Sequence, residues 1–489
     1  MTSVAIVGAG FGGIGTAISL RRAGVEDVTV LERGGRVGGV WDKNTYPGAA
    51  CDVPSHLYSY SFARNPGWGR RFAMQEEIQR YVEDVAREHG VLDRVRLNTE
   101  VVSASWDSGD ARWRLETDGG PVEADVLVCA CGQLTRPAIP DIPGLERFAG
   151  PAFHSSQWRH DVDLRGLRVG AMGSGASAVQ FVPAIQPLVK SLTVLQRTPP
   201  WILPKPDRAY RPFDTKLFER LPLAQLAGRF GFWAFLEAGI AGFVGHDQAM
   251  RPLAAISRAH LRRQVRDPQL RSKLTPTYRM GCKRVLLSSN WYPALTQPNV
   301  EVLTDGVTEA TETGLVLADG RQVELDVLIF GTGFRTREFV APMRIAGRGQ
   351  RTLQDVWNEV PHAWHGLAVP EFPNMFLIYG PNTFGGSGSA IYMIESQMRH
   401  VVAAVRELRR SGARAIEVRG DAHEAFMSEL RERQTRTVWA TGGCSSWYVD
   451  EQGRDPTNWP GYTLEYRRRT MRVSPDVYTL EHAPQAVSV

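Results

Sequence analysis

Two glycine-rich turns, each closing a short apolar run, constrain this chain more than any other feature. Val4-Ala-Ile-Val7 runs into Gly8-Ala-Gly10-Phe11-Gly-Gly13, and Leu167-Arg-Val-Gly-Ala-Met172 runs into Gly173-Ser174-Gly175-Ala176-Ser177-Ala178. A short apolar run is what a central parallel strand shows, because both of its faces are covered. The spacing that follows has a mechanical reading. The first glycine allows the tight turn, the second lets backbone approach a pyrophosphate, and the last small residue lets a helix pack on the strand. That helix offers its N-terminal N–H groups to phosphate. One such turn is weak evidence, whereas strand, turn, helix and strand in order, twice, is strong. The expected fold class is α/β, with two Rossmann-like dinucleotide-binding domains. A length of 489 residues leaves room for two or three domains, and 43% hydrophobic with 22% charged residues is a globular balance.

The two folds differ where they should meet a ribose. In the first, Val28-Thr-Val-Leu31 ends at Glu32, 24 residues past Gly8. A carboxylate there accepts hydrogen bonds from free ribose hydroxyls. In the second, Leu192-Thr-Val-Leu195 ends at Gln196-Arg197-Thr198, with Arg197 24 residues past Gly173. An arginine there favours a 2′-phosphate through charge-assisted bonds. The first domain is therefore expected to take FAD and the second NADPH. Both folds also close alike. Asp125-Val-Leu-Val128 and Asp326-Val-Leu-Ile329 lie 201 residues apart, each with a glycine seven residues after its aspartate. This points to a duplication of architecture. Cys129 and Cys131 fall on the first copy as small buried hydrophobes.

Other features narrow the classes. The formal charge of +5 is spread along the chain with no basic low-complexity run, so no nucleic-acid partner is expected. The five cysteines include no Cys-x-x-Cys, so neither a disulfide scaffold nor a dithiol redox centre is expected, and no metal site is assigned. The N-terminus enters a strand within four residues, which leaves no signal peptide and makes a cytoplasmic enzyme the expectation. Leu223 to Val244 is apolar and long enough to span a bilayer, but it contains Arg229 and Glu237. Each charge at a helix centre costs roughly 2.5–3.5 kcal/mol on insertion scales. The stretch reads as a buried or interfacial helix, without stable membrane insertion.

Along the chain, Arg36 to Asp52 is loop-like, broken by glycine and proline. Gln75 to Glu88 has apolar residues at 78, 81, 82, 85 and 86, which predicts an amphipathic helix. Val95–Leu97, Val101–Trp106 and Arg112–Thr117 read as a small antiparallel appendage. From Pro199 to about Thr275 the pattern loosens into a helical insertion in the second fold. Asn374 to Tyr379 leads through Gly385-Gly-Ser-Gly388 into a long amphipathic helix, which returns the chain to the first domain. The expected division is an FAD domain from 1–145 and 341–489, an NADPH domain from 146–210 and 279–340, and an insertion at 211–278.

Between the two turns lies Phe148-x-Gly150-x-x-x-His154-x-x-x-Trp158, which resembles the fingerprint of Baeyer–Villiger monooxygenases, a branch of the class B flavin monooxygenases. That family usually follows the Trp with Pro or Asp, and here Arg159 follows. Gly38-Gly39-Val40-Trp41, Tyr46-Pro-Gly48-Ala-Ala-Cys51-Asp52, Gln196-Arg-Thr-Pro199, Gly281-Cys-Lys283-Arg284 and the Trp447-bearing tail are similar to further family motifs. The resemblance implies that NADPH reduces FAD and that O2 then adds to give a 4a-peroxyflavin, which inserts oxygen beside a ketone carbonyl to yield an ester or lactone. It makes Arg284 and Asp52 the catalytic pair, with Asp52 holding an arginine that stands over the flavin. Lys283 would contact the 2′-phosphate, and Trp447 would lie near the nicotinamide or substrate. The FAD contacts it implies are Gly8, Gly10, Phe11, Gly13, Glu32, Arg33, Gly39, Val40, Trp41, Asp52, Tyr58 and Val102. Those for NADPH are Gly173, Ser174, Gly175, Ala176, Ser177, Gln180, Arg197 and Thr198. Two rivals share the folds. An N- or S-oxygenating flavin monooxygenase usually carries Tyr where Trp158 stands, and a pyridine-nucleotide–disulfide reductase would need the missing Cys-x-x-Cys. The ketone and the oligomeric state stay open.

Overall fold

The computed structural model describes residues 2–483. Its first sheet has five parallel strands in the order Met375–Leu377, Val126–Cys129, Val4–Val7, Val28–Leu31 and Val95–Arg96. The Phe11–Arg22 helix leaves the first glycine turn and packs against the Ala390–Ser411 helix. Small residues set how closely these pieces meet. A Cβ on Gly13 would stand 1.8 Å from the Gly8 carbonyl oxygen, and one on Gly15 would stand 2.7 Å from the Met398 sulfur. Val95–Arg96 differs from the expectation: it extends this sheet in parallel beside Val30 and Leu31, outside the antiparallel appendage. It follows the Gln75–Glu88 helix, so the chain makes a crossover of the βαβ kind. The appendage itself comprises Val101–Asp107, Arg112–Thr117 and Val122–Ala124, with Arg344–Ala346 added in parallel at its edge.

The second sheet repeats the plan with five parallel strands, ordered Val300–Leu303, Ser191–Leu195, Arg168–Met172, Val327–Phe330 and Ala152–His154. The duplicated aspartates have the same structural task. Asp125 accepts the Ser3 backbone N–H at 2.7 Å, and Asp326 accepts that of Arg168 at 2.7 Å. Each clamps the start of the strand that enters its glycine turn to the start of the closing strand. The two sheet units are joined through Gln180. Its side-chain oxygen accepts from the Tyr46 hydroxyl at 3.0 Å and the Ala50 N–H at 3.2 Å, and its amide donates to the Ala50 carbonyl at 2.9 Å.

Two expectations need correction. Cys282 and Cys444 form a disulfide across 162 residues of sequence; the pair carries no motif, so only the fold brings the two together. The apolar stretch forms the Pro222–Gly239 helix, but it is not buried: Leu223, Phe230 and Phe235 are 77%, 64% and 69% exposed. Its polar residues point inward instead. Gln225 donates to the Asn65 carbonyl at 2.8 Å, Arg229 to the His56 carbonyl at 2.7 Å, and Glu237 accepts the Leu464 N–H at 2.9 Å. Among the described residues no helix is long and apolar enough to cross a membrane.

Candidate active site

One connected cavity of about 1920 Å³ runs from the first glycine turn to the second and on to the insertion. Gly8, Gly10, Phe11, Glu32, Arg33, Gly39, Val40, Trp41, Asp52 and Tyr58 line it from the first unit. The geometry fits the FAD expected there. Gly8 has φ of +103°, a backbone state that side chains resist, and no side chain caps the helix that starts after Gly10. The uncapped N–H groups and the bare backbone leave room for a pyrophosphate. Glu32 is fixed by accepting from Ala9 N–H at 2.8 Å and Gly34 N–H at 2.7 Å, with acceptor capacity to spare for ribose hydroxyls. The Trp41 indole donates to the Tyr58 hydroxyl at 3.2 Å, and Tyr58 edges onto Phe11 at 5.4 Å.

The second unit contributes Gly173, Ser174, Gly175, Ala176, Ser177, Gln180, Arg197, Thr198 and Lys283. Gly173 takes φ of +113°, and no side chain caps the helix after Ser177. The Ser174 hydroxyl donates to the Thr198 carbonyl at 3.0 Å, which ties the turn to the Arg197 segment. Arg197 and Lys283 are close enough to repel. Burial lowers the Lys283 pKa first, and the Arg197 charge lowers it further. Among the described residues neither has a carboxylate within ion-pair reach. Two cations turned into one cavity, neither paired with a carboxylate among the described residues, match a phosphate-bearing ligand.

Where the two units face each other stands the Asp52–Arg284 pair. One Asp52 oxygen, Oδ2, accepts from Arg284 Nε at 3.0 Å and from Nη2 at 2.6 Å. Burial alone would push the Asp52 carboxyl up, but the charge and hydrogen bonds of Arg284, with help from Lys205, hold it below the usual carboxylate range. The guanidinium lies 5.5 Å from the Phe384 ring centre, and Phe384 edges onto Trp447 at 5.5 Å. The disulfide fixes this geometry from outside, since Cys282 stands two residues before Arg284 and Cys444 three before Trp447. The result is a permanent cation, anchored by one carboxylate and walled by aromatics, with donors left free to meet developing negative charge.

Some expected residues stand apart. Val102 lies on the outward side of its strand, 58% exposed, while its neighbour Val101 lines the cavity. The alternation of strand side chains accounts for the swap. Gly13 packs helix on strand behind the cavity. The fingerprint residues do not line the cavity either. His154 is fully buried beside Phe334 at 5.2 Å, and Trp158 packs on Phe153 and Phe181. Phe148 lies in the core around Leu328 and Phe330, and a Cβ on Gly150 would stand 2.2 Å from the Asp326 carbonyl oxygen. These residues fasten the edge strand that links the units. Arg159 is on the surface, paired with Asp161 at 2.7 Å. One neighbour of the site was not anticipated: Lys205 donates to the Cys51 carbonyl at 3.1 Å, beside Asp52. Its sequence signal was a lone lysine held between Pro204 and Pro206.

Residues 5–221 match the family model described as pyridine nucleotide-disulphide oxidoreductase. The chain is 46% identical to a Baeyer-Villiger monooxygenase of Streptomyces coelicolor, over 99% of this chain and 94% of that one. It is 44% identical to a Baeyer-Villiger monooxygenase of Pseudomonas aeruginosa, over 99% and 92%. Among solved structures, an oxidized steroid monooxygenase bound to NADP superposes with a TM-score of 0.88 at 28% identity, covering 99% of this chain and 100% of that one. A cyclohexanone monooxygenase from Rhodococcus bound to NADP+ gives 0.87 at 27% identity, covering 99% of both. The complex of OTEMO with FAD and NADP gives 0.88 at 28% identity, covering 98% and 99%.

Proposed function

The chain belongs to the Baeyer–Villiger monooxygenases, and we propose that it uses FAD and NADPH to insert one atom of O2 beside the carbonyl of a small-molecule ketone, giving an ester or lactone. The observation that carries this reading is the Asp52–Arg284 pair, set in the cavity that both glycine turns line. Residues 1–145 and 341–489 would hold FAD, residues 146–210 and 279–340 would hold NADPH, and 211–278 forms the insertion. Support for this division comes from Met375–Leu377, which rejoins the first sheet.

FAD, when bound and reduced by NADPH, would supply the activation of oxygen. The protein's own residues orient and stabilise. Gly8, Gly10 and the helix N–H groups seat one pyrophosphate, and Glu32 holds its ribose. Arg197 and Lys283 select the 2′-phosphate of the other cofactor. Arg284 remains charged at every working pH and turns its free N–H groups to the oxygen that gains negative charge as the ketone is attacked. Asp52 fixes the plane of that guanidinium. Phe384, Trp447 and the apolar wall exclude water from the reacting atoms.

The test is mass spectrometry of products from a ketone panel supplied with NADPH and isotopically heavy O2. One heavy oxygen in an ester or lactone is the expected result. Heavy oxygen appearing only in sulfoxides or N-oxides of added sulfides and amines would overturn it.

A further inference from the structure

The Pro222–Gly239 helix turns its polar residues toward the protein and leaves a large share of its apolar surface exposed. Gln225, Arg229 and Glu237 lie four and eight residues apart, so they share one side, and that side faces the protein. The outward arc carries Leu223, Leu226, Phe230 and Phe235, all exposed and uninterrupted by any charge, while Phe232, Trp233 and Leu236 turn inward with the polar residues. The preceding Pro212–Arg220 helix continues this surface. Phe213 is 74% exposed and shares its helix face, by spacings of three and four, with exposed Lys216 and Arg220, while the exposed Glu219 lies on the flank of that face. Arg64 adds a further cation, 3.5 Å from the Pro222 carbonyl. Exposed apolar patches with a polar rim mark contact surfaces.

The same helix is also a wall of the main cavity. Phe235, Leu236, Ala238 and Gly239 line it, together with exposed Ile256 of the Arg251–Gln264 helix. Phe235 belongs to both surfaces, so the apolar face and the cavity meet at one mouth.

We propose that this face docks on an anionic lipid surface and admits a lipophilic ketone from the bilayer into the cavity. The apolar stripe matches the boundary between headgroups and acyl chains, and the rim of Lys216, Arg220 and Arg64 matches anionic headgroups. With no span available among the described residues, the contact is peripheral. The loading half of this inference rests on the ketone-oxidising reading above, whereas the docking half does not.

The experiment is sedimentation of the FAD-loaded full-length enzyme with vesicles of equal parts phosphatidylcholine and phosphatidylglycerol, or of phosphatidylcholine alone. The enzyme is expected to pellet with the anionic vesicles. Leu223→Ser with Phe230→Ser should weaken this by about tenfold or more, because two apolar side chains lose their burial among the acyl chains. Lys216→Glu with Arg220→Glu, and high salt, should weaken it as well. Unchanged melting temperature and unchanged turnover of a short water-soluble ketone show that the variants are intact. Turnover of a long-chain ketone dissolved in the vesicles should fall in the serine variant alongside binding. Wild type remaining in the supernatant overturns the proposal, as does pelleting that neither pair of substitutions reduces. A concentration-dependent dimer, abolished by the serine pair and seen without lipid binding, assigns the face to a second copy and also overturns it. Loss of pelleting with vesicle-borne turnover intact refutes the loading half. If wild type pellets but oxidises neither ketone, the oxygenase reading falls while docking stands.

Discussion

Replacing Arg197 by alanine should reduce the preference for NADPH over NADH without weakening the empty protein. Arg197 and Lys283 face each other in the cavity, and the lysine pKa is lowered by burial and then by its neighbour. The pair is therefore unfavourable until a phosphate dianion enters. A charge-assisted hydrogen bond contributes about 1.5–3 kcal/mol. At 1.4 kcal/mol per decade, losing one such contact lowers the NADPH/NADH ratio of kcat/KM by about ten- to a hundredfold. NADH itself should be used about as well as before. In the absence of nucleotide the thermal midpoint should stay level or rise, because a like-charge contact is relieved. Lys283 sets the pH dependence. The 2′-phosphate binds the protonated lysine, so KM for NADPH should climb as pH rises through the lysine's lowered pKa, while KM for NADH stays flat. The assay is steady-state kinetics with both nucleotides across pH, alongside thermal melts without nucleotide. An unchanged NADPH/NADH ratio in Arg197→Ala would refute the phosphate assignment, and a sharply destabilised empty protein would refute the repulsion.

Two further outcomes follow from geometry. Gly13→Ala places a methyl group 1.8 Å from the Gly8 carbonyl oxygen, so helix and strand must part and the purified protein should carry little or no flavin by absorbance; a fully loaded yellow variant would contradict the packing. Alkylation of the denatured chain should modify three cysteines, Cys51, Cys129 and Cys131, before reduction and all five after it; five before reduction would exclude the Cys282–Cys444 bond.

Some of this architecture was legible from sequence because its signals are local. Val4–Val7, Val28–Leu31 and the Gln75–Glu88 helix are bounded by glycines or carry a clean period, and the structure forms them over the same residues. The duplicated Asp-Val-Leu was read as a repeat, but its reason, a carboxylate clamping the neighbouring strand, needs two chain segments 122 or 158 residues apart. Non-local partners were beyond reach for the same reason. Val95 joins a sheet through a partner on another strand, and Cys282 finds Cys444 only in the folded chain. Lys205 becomes a neighbour of Asp52 through the Cys51 carbonyl. In the insertion, the charges at 229 and 237 read as interruptions of an apolar run. Their spacing from Gln225 marks the inward face instead, and reading that face first places Leu223, Phe230 and Phe235 outside. The fingerprint was recognisable as a motif, yet its residues act by fastening the second sheet's edge strand rather than by touching the cavity.

The central claim is that Arg284, held by Asp52, stabilises negative charge on the reacting oxygen. It is tested most directly by measuring flavin reduction by NADPH without oxygen, and ester yield with oxygen, in the same Arg284→Ala preparation. Removing one preorganised donor of this kind typically costs about 10²–10³ in rate. Ester formation should fall by that factor while flavin loading and reduction change far less, since other residues seat both cofactors. An ester rate near wild type would move the role to another group, and an equal fall in both steps would make Arg284 a nicotinamide-positioning residue and contradict the account.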